Sequence, residues 1–483
     1  MAMTKGGDDH MMRSRGHRTA GARTGRMRTV LLMLALVLAA AACGVGEGGN
    51  TATGGSEGAS PDPAATAEPE VIEMEVDPDD PGEPVELEFW TFVNNHADFL
   101  QAKAQEFNEQ NDEYNVIINA SVAEYAAHHQ RLLLSLQSGA GAPDLVDIEI
   151  AQFGTFTRGE VQLHPLTDIL DRHRDELVEE RLAPYQVDGQ EYGIDYHLGA
   201  YVMYYNSEIM EEAGVDVDQI ETWDDYIEAG KQVVENTDAL MTTVESQDRF
   251  SLLGAMLQNG GGLYDENNEL IMDSPENAEA AELIASMVHE HGIAEAPPGG
   301  GHHDPTYFEN MNSGQYASVW MPQWYMIRFK DQMPDLEGKL LVRPLPAFES
   351  GGAVSTMGGG TGTAITTQTD EAHVDVAKEF LEFAKLTYDA QVDIWTELGF
   401  DPFRNDVYAD EALTEPDPWF SNEPVMADLQ QMFDRLVPEY TGPRYPEAIQ
   451  AFNETFAFNV IAEEGDPQEN LTRVADEIRA LDQ

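Results

Sequence analysis

Several residue groups in this sequence carry types that do chemistry, and their spacing decides which chemistry is open to them. His302-His303-Asp304 follows Gly299-Gly300-Gly301, and His128-His129 sits in a helical stretch. Adjacent residues on a helix do not face the same way, so His128-His129 is a poor chelate. His302-His303-Asp304 has neither an H-E-x-x-H partner nor a cysteine companion. Asp265-Glu266-Asn267-Asn268-Glu269 lacks the glycine and terminal glutamate spacing of a calcium loop and reads as a solvated turn. Gly44-Val45-Gly46-Glu47-Gly48-Gly49 fits G-x-G-x-x-G, and Gly54-Gly55-Ser56-Glu57-Gly58 fits G-x-S-x-G. Neither follows a strand or opens a helix, so both are accidents of composition. The expectation is no metal, no other cofactor and no catalytic residue.

The only cysteine, Cys43, closes a run of 13 apolar residues, Val30 to Ala42, preceded by Lys5, Arg13, Arg15, Arg18, Arg23, Arg26 and Arg28. A basic region, a short apolar segment and small residues at the break describe a secretory signal peptide over 1–42. The run is shorter than the roughly 20 residues a bilayer span needs. Ala40-Ala41-Ala42-Cys43 resembles the bacterial lipobox, with Ala40 where leucine is usual. Ala40-x-Ala42 also serves as an ordinary cleavage site, which would leave Cys43 as a free thiol. Lipidation at Cys43 is the reading taken, with the chain anchored to the outer face of the cell membrane. One cysteine allows no intrachain disulfide. Residues 43–83 are Gly, Ser, Ala, Pro, Thr, Asp and Glu with few large apolar residues, and read as a flexible acidic tether.

The chain has 26 basic and 89 acidic residues. Seven basic and two acidic ones fall in 1–42, leaving 19 against 87, a net charge of −68. Such a field repels nucleic acid and anionic membranes, which drop out as partners. The excess is spread along the chain rather than clustered, as suits a halophilic acidic surface in high salt, where the Debye length is about 3 Å at 1 M.

The elements that must position any site begin near residue 84. Val85 to Trp90 alternates as a strand, Ala97 to Asn108 reads as an amphipathic helix, Tyr114 to Ala120 as a strand, Glu124 to Gln137 as a helix and Asp144 to Glu149 as a strand. Alternation of strand and helix predicts parallel βαβ units and an α/β fold. Tyr201 to Tyr205 is a further strand. Thr222 caps a helix running to Asn236, with Asp224 and Asp225 in its first turn. Ser274-Pro275-Glu276 opens another, with proline at its first position. Tyr316–Trp320 and Lys339–Val342 read as buried strands. Val374–Thr387, Ala390–Leu398, Val425–Leu436 and Glu447–Ile461 read as helices. Some 400 residues exceed what one core usually supports, so two domains are expected.

The ordered motifs resemble the bacterial extracellular solute-binding proteins of ABC importers, in the sugar-binding branch typified by maltose-binding protein. They are Ser138-Gly139-Ala140-Gly141-Ala142-Pro143-Asp144, Tyr192-Gly193-Ile194-Asp195, Met203-Tyr204-Tyr205-Asn206, Ala213-Gly214-Val215 and Thr222-Trp223-Asp224. Phe308 to Trp324, Leu345-Pro346, Gly358-Gly359-Gly360 and Ala377-Lys378-Glu379-Phe380-Leu381 continue the series. Asp195 stands where the family often has proline, and Gln323-Trp324 replaces the usual Gly-Trp. Phe89-Trp90-Thr91-Phe92-Val93 with Asp147-Ile148-Glu149 looks most like the branch for arabinose and arabino-oligosaccharides. The resemblance implies a two-lobed periplasmic-binding-protein type II-like fold, each lobe a mainly parallel sheet flanked by helices. Lobe 1 would take 84–197 plus 348–400, and lobe 2 would take 198–347 plus 401–483. Hinge closure would clamp a ligand between them, outside the carboxyl ends of the strands.

A sugar presents hydroxyls and flat C–H faces, so its site needs aromatic platforms with carboxylates and amides. Trp90 ends the first strand and Trp324 matches the family's cleft tryptophan; both are candidate platforms. Glu149, Asp195, Asn94 and Asn95 are candidate polar contacts, with Asp195 also a hinge residue and one asparagine shaping the turn. Gly358 and Gly359 would bring backbone N–H groups to ligand, and Arg404 would donate to ligand or pair with a buried acid. The expected partners are a sugar or oligosaccharide and the permease subunits of an importer, with the protein itself a monomer. The alternatives are a peptide, polyol phosphate or metal complex on the same scaffold, a sensor without transport, or a secreted carbohydrate-active enzyme using Glu149 and Asp195.

Overall fold

The computed structural model describes residues 69–74 and 82–481. The expected signal peptide, Cys43 and most of the expected tether lie outside the described residues.

The first lobe is built on strand β1 (Glu70–Ile72), β2 (Glu83–Thr91), helix α1 (Asn94–Gln110), β3 (Tyr114–Val122), α2 (Tyr125–Ser138), β4 (Leu145–Glu149) and α3 (Ile150–Thr157). β2 lies parallel to β3 and to β4, the βαβ arrangement the alternation predicted. Val85, Leu87 and Phe89 face inward while Pro84, Glu86 and Glu88 face outward, the period of two that a half-covered strand requires. Phe99, Leu100 and Phe107 of α1 are buried against this sheet, each stabilising the fold by about 2 kcal/mol. β1 falls within the stretch read as tether. It pairs antiparallel with β3 from Glu70–Val122 to Ile72–Ala120, and Met74 behind it is buried. Its apolar pair Val71-Ile72 supplies a strand where composition alone indicated none.

The second lobe contains β5 (Tyr201–Asn206), α4 (Trp223–Asn236), α5 (Phe250–Gln258), α6 (Pro275–His289), β6 (Ser318–Pro322) and β7 (Leu340–Arg343). Its sheet departs from the expected parallel one. β5 is central and antiparallel to both β6 and β7, and parallel pairing survives only at short bridges such as Thr242–Thr243 with Ala294–Glu295. The core here is aromatic: Trp223 packs edge-on to Trp320 at 5.3 Å and to Tyr226 at 5.4 Å. Thr222 caps α4 as expected, Asp225 closing the cap reciprocally, and Ser274 caps α6 with Pro275 at its first position.

The chain then returns through β8 (Thr361–Ile365), antiparallel to β4, and adds α7 (Val374–Lys385), α8 (Tyr388–Leu398), α9 (Tyr445–Ala451) and α10 (Pro467–Ala480). α7 covers α1, with Phe107 edge-on to Phe380 and Phe383. The helix expected over Val425–Leu436 stops at Gln430; Leu436-Val437 instead pairs parallel with Ser355-Thr356. The one expected over Glu447–Ile461 is α9 continued by wider π-type turns over Phe452–Ala462.

Three chain segments cross between the lobes side by side. Leu198 N–H donates to Asp401 C=O at 2.8 Å, and Gly358 N–H to Gly199 C=O at 2.9 Å. Met357–Gly358 lies beside Gly199–Ala200 at the first crossing. The chain before it stays with the second lobe because Gln258 holds Pro346 and Ala353 carbonyls, Ser355 holds the Tyr201 carbonyl, and Trp223 N–H bonds Ala347 C=O.

Candidate functional site

Where the crossings meet, buried polar groups from both lobes converge. Asp195, on the approach to the first crossing, is 1 % exposed. Its carboxylate accepts from the Arg181 guanidinium, the Tyr185 hydroxyl, Tyr196 N–H (2.7 Å), His197 N–H (3.2 Å) and Thr361 N–H (3.3 Å). Burial pushes this carboxyl up, but Arg181 and the other donors outweigh it and hold it below the usual range. Arg181 also donates to Gly359 C=O at 2.6 Å, while its Nε and Nη1 are buried without a hydrogen-bond partner. Gly360 adopts φ 142°, and a Cβ there would overlap Arg181 Nη2 and Asp195. Only glycine lets the backbone pass this close to the pair.

Trp324 follows β6 and reaches from the second lobe to this glycine run. Its indole N–H donates to Gly358 C=O at 3.0 Å, and a Cβ on Gly359 would meet the indole at 3.2 Å. The ring is half-buried, stacks on His303 at 5.8 Å and meets Phe250 edge-on at 5.4 Å. Phe250 opens α5, and the Arg249 guanidinium beside it lies 4.8 Å from its ring. Arg249 donates to Glu149 at 2.9 Å, bringing the second lobe onto the end of β4 in the first. Glu149 also caps α3 through Ala151 N–H at 2.8 Å and accepts from the Tyr125 hydroxyl at 3.0 Å. Burial lowers Arg249, yet Glu149, Tyr445, Asp248 and Glu439 together hold it well above its ordinary value. Glu439, 3 % exposed, accepts from the Tyr445 hydroxyl; burial pushes its carboxyl up against the pull of Arg249 and Arg181.

Residues 94–387 match the family described as bacterial extracellular solute-binding protein. The chain belongs to this family. It is 42 % identical over 402 residues to the arabinooligosaccharide-binding protein of Halalkalibacterium halodurans, covering 82 % of this chain and 89 % of that one. It is 38 % identical over 400 residues to the protein of the same name from Bacillus subtilis, covering 82 % and 92 %. Among solved structures, maltose-bound MalE3 of T. maritima aligns with TM-score 0.65 at 20 % identity, over 83 % of this chain and 100 % of that one. That likeness supports the two-lobed fold. Among the described residues of this solute-binding protein, no helix is long and apolar enough to cross a membrane.

The candidate site sets Asp195 and the Gly359 carbonyl on Arg181, Trp324 from the second lobe on the Gly358 carbonyl, and Glu149 of the first lobe on Arg249 of the second. Trp90 is not with them. It is 2 % exposed, packs with Leu132 and Leu136, donates to Glu88 at 2.8 Å and lies under the Arg131 guanidinium at 3.3 Å. The strand's period of two puts it on the face of Glu86 and Glu88, under α2. Arg404 is also elsewhere: Asp406, at 2.6 and 3.0 Å, and the Leu386 carbonyl, at 2.8 Å, take its donors. Asn94 is exposed at the start of α1; Asn95 is half-buried, its carbonyl oxygen buried without a partner.

Arg181, Arg249, Tyr185, Glu439 and Tyr445 escaped sequence reasoning. The available signal was rarity, since a chain with 26 basic residues rarely buries an arginine without purpose. The histidine motifs are committed to protein groups: His302 to Thr243 at 2.8 Å, His128 to Asp147 C=O at 2.7 Å and His129 to Tyr125 C=O at 2.8 Å. Glu106, Asp393 and Glu397 form the one carboxylate group close enough to hold a metal among the described residues. Lys103 Nζ already pairs with Glu106 and Asp393.

Proposed function

We propose that this solute-binding protein is the extracytoplasmic carbohydrate receptor of an ABC importer, taking an arabino-oligosaccharide between its lobes by hinge closure. The observation that carries this reading is Trp324 set against the Gly358–Gly359 backbone at the crossings, flanked by the carboxylates and guanidiniums of Asp195, Arg181, Glu149 and Arg249. An aromatic face beside fixed donors and acceptors suits a ring of hydroxyls over a C–H surface. The likeness to two arabinooligosaccharide-binding proteins along four-fifths of the chain supports the same class. In this proposal the lobes are 84–197 with about 357–400 and 198–356 with 401–483, the Gln258 and Ser355 bonds favouring the second lobe for 348–356. The ligand set is Trp324 and Glu149 with the backbone at Gly359, and Asn95 at its margin; Asp195 and Gly358, whose polar atoms are taken by protein groups, hold the crossing beneath them.

The receptor is non-enzymatic. Asp195 is held ionised by Arg181 and has its oxygens filled by donors, so it offers neither a proton nor a free base to a Glu149 partner. A lipid anchor on Cys43 would hold the monomer at the outer face of the membrane, near its permease subunits. Thermal unfolding in molar salt against arabino-oligosaccharides, maltose and lactose tests the reading. A ligand at a hundred times its dissociation constant adds about 2.7 kcal/mol. A shift with arabino-oligosaccharides, with the sugar recovered unaltered, is expected; no shift with any sugar overturns it.

A further inference from the structure

Glu149 and Arg249 lie 100 residues apart, and their ion pair joins the two lobes. Glu149 belongs to the first lobe in every other contact: one oxygen is fixed by Tyr125 and Ala151, leaving Oε1 to face across the junction. Arg249 is set at the start of α5, which packs on α6 and β6 of the second lobe. The pair's side chains are only 11 and 12 % exposed. Such a pair attracts strongly while the lobes meet, and each charge regains its hydration when they part. Glu439 and Tyr445 add a further acid and hydroxyl around the same guanidinium. Phe250, next in sequence, touches Trp324, so the pair and the candidate sugar platform move with one element.

Resting on the carbohydrate-receptor reading, we infer that Arg249 is a positioning residue that couples lobe closure to ligand binding through its pair with Glu149. It need not touch the sugar to do so. Closure makes the pair, and the pair retains the closed, sugar-holding arrangement.

The test compares the mature wild type with R249M, R249K, R249E and E149Q, using arabinotriose titrations and small-angle scattering with and without sugar. R249M is expected to weaken arabinotriose about 30-fold, chiefly by faster release, and to contract less at saturating sugar. R249K should recover part of both losses. The R249M/E149Q double variant should cost clearly less than the sum of the R249M and E149Q losses, because the two residues act through one pair. R249E sets a carboxylate against Glu149 and Glu439 and should expand the sugar-free protein relative to wild type. R249M that binds and contracts like wild type overturns the inference. If wild type binds no arabino-oligosaccharide, the carbohydrate reading falls by itself, and the coupling is then judged on the sugar-free scattering. An R249E radius equal to that of wild type overturns it there.

Discussion

Two buried arginine–carboxylate pairs lie in neighbouring parts of this molecule and do different work. Arg181 and Asp195 both belong to the first lobe, with side chains 0 and 1 % exposed, and backbone N–H groups fix the carboxylate on three sides. Arg249 and Glu149 come from opposite lobes and keep about a tenth of their surface. The first pair cannot separate without unfolding, so its strength is spent on holding the crossing segments in place. The second separates whenever the lobes do. The same chemistry is scaffold in one setting and, in the coupling proposed above, switch in the other, because one pair lies within a lobe and the other joins two.

Breaking the permanent pair should have the largest effect. Arg181→Met leaves the Asp195 charge buried without a counterion and is expected to destabilise the fold by about 3–5 kcal/mol in urea unfolding. An Arg181→Met protein as stable as Arg249→Met would erase the distinction. The platform between the pairs comes next. Trp324→Ala should cost about 2 kcal/mol in sugar affinity by calorimetry, a factor of about 30, while unfolding shifts less because the ring is half-buried.

The hinge carries a third, smaller test. Asp401 is buried with Gly199 and Ala200 N–H as partners at 3.1 and 2.8 Å, and burial raises its carboxyl to about 7 against the pull of those bonds. The folded protein therefore retains this proton more tightly than the unfolded chain, whose value is 3.8. Its contribution is complete below about pH 4 and is lost as pH rises through 7. Asp401→Asn should flatten that decline in urea melts taken from pH 4 to 8, after a pH-independent loss of about 1 kcal/mol for one N–H acceptor. An unchanged slope refutes it. The smallest effect belongs to Arg404→Ala, which should cost about 1 kcal/mol of stability through the Leu386 carbonyl and leave sugar affinity unchanged. A weakened affinity would return Arg404 to the site.

Much of the secondary structure was legible because its signals are local. The alternation in Val85 to Trp90, the α1 stripe of Phe99, Leu100 and Phe107, and the caps at Thr222 and Ser274 each span a few residues. The second sheet was less legible. A strand such as β5, buried along its whole length, reads the same in a parallel or an antiparallel sheet. The site divided along the same line. Asp195, Trp324 and the glycine run came from motifs in order, whereas Arg249 finds Glu149 a hundred positions away and leaves no periodic trace. Trp90 misled because a strand end was taken to point to the junction, when the pleat had already turned it under α2.

The glycine run has a consequence for how such a receptor changes its diet. At Gly360 even one added methyl would overlap Arg181 and Asp195, so a saturation library should return a blank column at this position. Around it, Trp324 borders His303 and Phe250 on a face made of side chains. Selection for a new sugar therefore has room to work on the second lobe's wall, while the joint beneath it stays frozen.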